Sequence, residues 1–306
     1  MNPLVSIITV NYRSVEDTLA FLESIPHACY NNLEVILIDN AAPSNHSTIY
    51  KEQFSKLIYI YSKENLGFAG ANNLGIAKAK GKYLYFLNND TILNKDSISP
   101  LVERLEKNEK LGAASPRIVF YENPELLQYA GMTPMNLFTG RNRMIGNKKM
   151  DSPVFQKNSI VGYAHGAAMI VPTKVVKQIG PMQTDYFLYY EELDWCEKIR
   201  KLGKKIELVG KGKVVHKASA SVKLNSPLQI FYMTRNRLLF MFRFTGKVQF
   251  WIFWMFYRLF VIPKECLRFL VKGDKDGLRV YKQAINSAKQ HFFNQQLPLQ
   301  NYQPTH

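Results

Sequence analysis

Three short apolar runs open the chain, Val5–Val10, Leu33–Ile38 and Lys82–Leu87, and Ile58–Tyr61 reads as a fourth. They are rich in Val, Ile, Leu, Tyr and Phe and show little alternation, which suits strands buried on both faces. Between them, over Val15–Ser24, Thr48–Lys56 and Ala69–Lys80, apolar positions recur at the spacing of an amphipathic helix. Strands alternating with helices predict a parallel sheet covered on both sides. Ligands of such sheets sit beyond the carboxyl ends of the strands. The polar residues that close each run are therefore the first candidates for chemistry: Asn11-Tyr12-Arg13, Asp39-Asn40 and Asn88-Asn89-Asp90.

From about residue 115 the periodicity weakens, and Asn123–Lys157, punctuated by Pro, Gly and Asn, predicts an irregular excursion. Regular pattern returns with a short buried strand, Gly166–Val171. A helix over Glu191–Leu202 follows, stopped by Gly203, and then two strand-like runs, Ile206–Val209 and Val214–His216. From Pro227 the character changes. Leu238–Ile262 is almost wholly apolar and is interrupted by Arg243, Lys247 and Arg258. Its longest charge-free run, Val248–Tyr257, falls well short of the roughly 20 residues that span a bilayer. On one continuous helix those three cations would lie within about 60° of one another. That predicts a helix lying in a membrane interface, or one that packs on the rest of the chain with its cations in water.

Charge changes the picture once it is located. The net charge of +16 suggests a nucleic-acid binder, yet residues 1–197 hold 19 Lys+Arg against 20 Asp+Glu, and residues 198–306 hold 21 against 4. The excess belongs to the aromatic-rich last third, where it suits an anionic lipid surface. A basic nucleic-acid-binding protein would have no need of carboxylates at strand and helix ends. The three cysteines, Cys29, Cys196 and Cys266, are odd in number and show no CxxC spacing, which argues against a disulfide framework or zinc site and favours a reducing compartment. Leu4–Val10 lacks the basic flank and cleavage site of a signal peptide and reads as a first strand.

Several positions then carry candidate chemistry. Asp39, at the end of a buried strand, suits a hydrogen bond to a pyrimidine or ribose, and equally an Asx turn. Asp90 suits a divalent cation or a helix cap. Asn65–Gly75, rich in Gly and Asn, enters a helix and could offer backbone NH groups to an anion. Glu191, Glu192 and Asp194 crowd a helix start after an aromatic lead-in, Tyr186–Tyr190. The helix dipole favours acids there, and burial beside one another would raise one of them toward the pKa of a general base. His216 closes a Val-Val-His strand end.

In this order the segments resemble family 2 glycosyltransferases, in particular the bacterial rhamnosyltransferase-like branch that builds surface polysaccharides. The resemblance runs from Val5 to about Arg243. It rests on Val5–Tyr12, Val35–Asn40, Asn65–Gly75, Asn88-Asn89-Asp90, Gly166–Val171, Tyr189–Cys196, His216 and Tyr232-x-x-Arg235-Asn236. It implies an α/β fold of the GT-A type, a mostly parallel nucleotide-binding sheet flanked by helices. That domain would cover residues 1–225, with a nucleotide-sugar-binding half (1–115) and an acceptor and catalytic half (116–225). A basic, aromatic, helical membrane-associating region would follow over 226–306, on the cytoplasmic face of the inner membrane.

The same resemblance implies a dTDP- or UDP-linked donor, rhamnose among its sugars, held by Val10, Tyr12, Arg13, Asp39, Asn65, Gly67, Asn72, Asn88, Asn89 and Arg235. It implies Mg²⁺ or Mn²⁺ on Asp90 and His216, a saccharide or lipid-linked saccharide acceptor, and inversion at the anomeric carbon. The family's Asp-x-Asp is here Asn88-Asn89-Asp90, leaving one carboxylate ligand. Its Glu-Asp pair is here Glu191-Glu192, which places the base at Glu192, with Glu191 the other possibility and Asp194 nearby. A sugar nucleotidyltransferase is the rival enzyme reading. It wants a glycine-rich N-terminal loop, and Tyr12-Arg13-Ser14-Val15-Glu16-Asp17 supplies no glycine.

Overall fold

The computed structural model describes residues 2–217, 225–293 and 301–302. The chain forms two compact units. The first comprises Met1–Pro134, Arg143–Thr184 and Glu191–Ser219, and the second Met135–Asn142, Asp185–Tyr190 and Ala220–His306. The end of the basic C-terminal region, 294–300 and 303–306, lies outside the described residues.

The first unit is built on one sheet. In chain order its elements are β1 (Val5–Asn11), α1 (Val15–Ser24), β2 (Leu33–Asn40), α2 (Ser47–Gln53), β3 (Ile58–Ser62), α3 (Gly67–Lys78), β4 (Tyr83–Leu87), β5 (Thr91–Ile92), α4 (Ser99–Lys107), β6 (Leu111–Phe120), β7 (Leu127–Tyr129), β8 (Ser159–Val161), β9 (Ala168–Pro172), α5 (Thr173–Ile179), α6 (Glu191–Lys201) and β10 (Lys205–His216). The strand order is β3-β2-β1-β4-β9-β6-β10-β5, with β7 on β6 and β8 on β10. The first four strands pair in parallel, as the apolar runs predict. β9 then enters antiparallel between β4 and β6.

The core sits on both faces of this sheet. Ile7, Ile8, Val35, Ile36, Leu37 and Ile38 have no exposed surface, and each such side chain contributes about 1.5–3 kcal/mol. Helix α3 lies close against it because Gly75 has no side chain: a Cβ there would fall 2.5 Å from Ile8 Cγ2 and 3.0 Å from Ile38 Cδ1. Trp195 of α6 is fully buried and meets Phe86 of β4 edge to face, with ring centroids 5.2 Å apart. That contact seats the acid-bearing helix on the sheet.

Several elements differ from the sequence pattern. Ile206–Val209 and Val214–His216 are one strand, β10, whose register against β6 shifts between Val209 and Lys213. The bulge absorbs Gly210–Gly212 and breaks the apolar run without ending the strand. β6 is not marked by the pattern, because Pro116 and the small residues Gly112, Ala113, Ala114 and Ser115 interrupt its hydrophobic signal. The excursion carries β7 and isolated bridges, including Leu126 to Met150 and Met132 to Met144.

The second unit is helical, with α7 (Pro227–Phe244), α8 (Lys247–Phe256), a π-helical turn (Tyr257–Val261), α9 (Ile262–Val271) and α10 (Lys275–Phe293). The single helix expected across Leu238–Ile262 is therefore two. Thr245 and Gly246 adopt extended backbone and end it, so the wheel that grouped Arg243, Lys247 and Arg258 does not apply. Leu238, Leu239, Phe240 and Met241 are fully buried. Arg243 pairs with Asp185 and covers the Tyr186 ring, 5.1 Å from its centroid.

Candidate active site

The carboxyl ends of β4 and β10 bring two sequence candidates together. His216 Nε2 stands 3.0 Å from Asp90 Oδ1, and both side chains are largely buried. His216 Nδ1 lies 2.7 Å from Gln128 Oε1. A carbonyl oxygen accepts only, so Nδ1 donates to Gln128 and Nε2 faces the carboxylate. The pair sets a carboxylate oxygen beside an imidazole nitrogen. Carboxylate oxygen and imidazole nitrogen are suitable donors for Mn²⁺ and acceptable ones for Mg²⁺. The outer partner Gln128 fixes the ring as such a site requires. No group of three or more His, Cys, Asp or Glu gathers among the described residues. A cation here would be held by Asp90 and His216.

A tight turn, His165–Ala168, links this pair to the acids of α6. Ala168 N donates to His165 O at 3.0 Å, and Ala167 O accepts from Asn88 N at 3.1 Å, which ties the turn to the end of β4. The His165 ring meets that of His216 at 6.4 Å between centroids. Burial, reinforced by His216, pushes the His165 pKa down to about 3, so its imidazole is neutral. The next residue, Gly166, faces Glu192: a Cβ placed there would lie 3.6 to 3.9 Å from the Glu192 side chain.

The three acids separate by exposure. Glu191 is 3% exposed and Asp194 1%, and Asp194 pairs with Lys198 one turn along at 2.8 Å. Glu192 is the half-buried one. It is the only one of the three with a partly exposed side chain, and it lies beside Gly166. Asp194 is almost wholly buried and pairs along its own helix, which sets it apart from Glu192.

Asp39 has no exposed surface, and its carboxylate accepts from Asn11 Nδ2 (2.7 Å) and Tyr59 OH (2.8 Å) and contacts His46 Nδ1 (3.0 Å). Burial, and then Asp39 itself, pushes the Tyr59 and Tyr50 hydroxyls above the ordinary phenol range, so both stay protonated. Around this cluster, beyond the ends of β1, β2 and β3, lies a cleft of about 770 Å³ lined by Asn11, Arg13, Asp39, His46, Tyr61 and Lys63. A cleft of similar size at the opposite end of the strands, about 710 Å³ near Lys80, Lys82 and Lys174, contains none of these residues.

The other polar candidates interlock with one another. Asn65 Oδ1 accepts from Asn40 Nδ2 and from Gly67 N, both at 3.0 Å, and Gly67 opens α3 at a φ of +67°. Asn72 donates to Phe68 O at 2.9 Å within the same helix. Asn89 donates to Thr18 Oγ1 at 2.9 Å and Asn11 Oδ1 at 3.2 Å, fastening the end of β4 to the end of β1 and to α1. Asn88 is half-buried, its carbonyl accepting from Thr91 Oγ1 at 2.7 Å. Val10 and Tyr12 are half-buried, and Arg13, at a φ of +59°, is exposed with its guanidinium 5.3 Å from the Tyr12 ring centroid.

Arg235 belongs to the second unit and is fully buried there. It donates to Asp185 O (2.7 Å), Tyr186 O (2.9 Å), Asn236 Oδ1 (3.0 Å) and Asn301 Oδ1 (3.3 Å). A guanidinium so committed has no face for a diphosphate, which corrects the expectation that Arg235 helps to hold the donor. Sequence reasoning missed His46, Tyr59, Gln128 and His165. Each is a lone polar residue whose partner lies far away along the chain or belongs to a different element, so no local spacing marks it.

The sequence profile described as Glycosyl transferase family 2 matches residues 6–179. Among curated relatives, the low-salt glycan biosynthesis hexosyltransferase Agl10 of Haloferax volcanii is 27% identical over 255 residues, 76% of this chain and 74% of that protein. The chain spans about half the length of other curated relatives that it matches. Among solved structures, the mannosyltransferase PcManGT of Pyrobaculum calidifontis, in complex with GDP-Man and Mn²⁺, superposes with a TM-score of 0.58 at 14% identity, covering 94% of this chain and 76% of that one. GalNAc-T7 with UDP, GalNAc and Mn²⁺ superposes with a TM-score of 0.56 at 16% identity, covering 70% and 43%. With its family profile covering more than half of its length, the chain has the GT-A-like α/β fold and belongs to glycosyl transferase family 2.

Proposed function

We propose that the chain transfers a hexose or 6-deoxyhexose from a uridine or thymidine diphosphate sugar to an acceptor hydroxyl, inverting the anomeric carbon, with Glu192 as base. Rhamnose is the sugar that the sequence resemblance implies, and a saccharide or lipid-linked saccharide is the acceptor. The observation that carries the reading is the convergence of Asp90 Oδ1 and His216 Nε2, 3.0 Å apart, at the carboxyl ends of β4 and β10.

The cleft beyond β1–β3 takes the nucleotide, with Arg13 and Lys63 at its rim and the Asp39 cluster as its floor. Asp90 and His216 would hold a divalent cation, which neutralises charge developing on the departing diphosphate. Glu192 removes the proton from the acceptor hydroxyl as that oxygen attacks, and the half-buried position of its side chain leaves it open to the acceptor. Agl10 is a hexosyltransferase by name, and the two solved relatives carry Mn²⁺, which supports both the sugar class and the choice of cation.

The test is a panel of nucleotide diphosphate sugars with Mn²⁺ or Mg²⁺, scored by release of the nucleotide diphosphate and by the anomeric configuration of the product. One donor supporting turnover that stops on chelation is the expected result. Undiminished turnover in chelator, or a retained configuration, overturns the corresponding part of the reading.

A further inference from the structure

Downstream of the break at Thr245 and Gly246, α8, the π-helical turn and α9 follow one another from Lys247 to Val271. One side of this stretch is inside the second unit: Phe250, Phe253, Tyr257, Val261 and Phe269 are buried. The other side leaves large apolar groups in water. Val248 is 76% exposed, Leu259 58%, Leu267 62% and Val271 78%, and Trp251 and Met255 are half exposed between them. The spacing follows the helix, so these groups form a stripe and are not scattered. Isolated exposed apolar residues need no explanation, whereas a contiguous stripe of them marks a surface that something covers.

The charges along the stripe indicate what covers it. Lys247, Arg258, Lys264, Arg268 and Lys272 are all exposed. The only acid from Lys247 to Lys272 is Glu265, which Arg268 already engages at 2.8 Å. Five cations interleaved with apolar side chains match the boundary of an anionic bilayer, where acyl chains and headgroup phosphates lie within one side chain's reach. A second copy of the chain would bring the same five cations against their like across a two-fold interface. No helix among the described residues is long and apolar enough to cross a membrane, so contact would be with one leaflet.

We propose that the α8–α9 stripe docks the protein on an anionic phospholipid surface, with Val248, Trp251, Met255, Leu259 and Leu267 entering the headgroup boundary and the five cations meeting lipid phosphates. This differs from the interfacial helix expected across Leu238–Ile262, because the first part of that run is interior and the docking stripe begins only at Lys247.

The test uses the whole chain and no sugar donor, so its result is independent of the transfer reaction. Binding to vesicles of phosphatidylcholine alone and of phosphatidylcholine doped with phosphatidylglycerol is measured by co-sedimentation and by tryptophan emission. Trp195 and Trp254 are buried, so a blue shift on binding reports Trp251 and disappears in Trp251→Phe. The expected result is binding to the doped vesicles with a blue shift, weakened at least about tenfold by Leu259→Glu with Leu267→Glu. Reversal of exposed charge in Lys264→Glu with Lys272→Glu, which disturbs no buried group, weakens binding likewise. Absence of binding, binding that both double variants leave unchanged, or a dimer in sedimentation velocity that the Leu259→Glu, Leu267→Glu variant dissociates would overturn the proposal.

Discussion

His216 offers Nε2 to Asp90 Oδ1 at 3.0 Å while its other ring nitrogen is held by Gln128 Oε1 at 2.7 Å. The first contact is the proposed cation site and the second orients the ring. Asp90→Ala should therefore abolish sugar transfer with the fold intact. Gln128→Ala should weaken Mn²⁺ binding by about 10–100-fold, the usual consequence of removing the partner that orients a ligating histidine. Turnover reads the first, and Mn²⁺ titration by calorimetry or electron paramagnetic resonance reads the second. Full turnover by Asp90→Ala would remove this pair from the mechanism.

The two glutamates at the start of α6 should behave differently. Glu192→Gln keeps shape and loses the base, so kcat should fall by about 10²–10⁴ with little change in Tm. Glu191 is almost wholly buried, and Glu191→Gln should be seen mainly in thermal stability. If Glu191→Gln takes the kcat loss and Glu192→Gln does not, the base is Glu191.

Asn236 donates one amide nitrogen to Tyr186 O at 3.0 Å, Leu188 O at 2.8 Å and Tyr189 O at 2.9 Å. The segment it holds has positive φ at Phe187, Tyr189 and Tyr190, a conformation that side-chain-bearing residues adopt only under constraint. Asn236→Ala should cost about 1–3 kcal/mol, since buried carbonyls lose their donor. Denaturant unfolding measures it, and a loss below about 0.5 kcal/mol, the range of ordinary surface substitutions, would refute the clamp.

Cysteine reactivity should sort by burial. Cys29 is exposed and Cys196 is fully buried. Burial, the largest influence, raises the Cys196 thiol far above its ordinary value, so it presents no thiolate at neutral or mildly alkaline pH. A thiol reagent should label Cys29 promptly in the native protein and Cys196 only after unfolding, as peptide mass mapping would read. Native labelling of Cys196 at pH 8 would contradict its burial.

The parallel half of the sheet was legible because β1, β2, β3 and β4 are apolar runs bounded by polar residues, and that signal is local. The sequence marks Asp90, His216 and Glu192 as candidates for a related reason, since each stands at the end of an element, and the structure sets the first two side by side. Less legible were α4, α5 and β6. The pattern of β6 is broken by Pro116, and its neighbours β9 and β10 come from about 50 to 100 residues further along the chain. The C-terminal run misled because hydrophobicity alone does not say where a helix breaks, and Thr245-Gly246 breaks it.

Taken alone, the sequence determined the fold class, the order of its motifs, the excess of charge in the last third and the short list of acids and histidines. Those properties depend on residue type and spacing. Tertiary structure decided which members of that list meet. It set His216 against Asp90 and opened Glu192 beside Gly166, closed Arg235 into the second unit, and gave Asp39 the partners His46 and Tyr59. Each of these pairings joins residues from separate elements. Only the packing of those elements sets the distance and burial on which hydrogen bonding, charge and proton affinity depend.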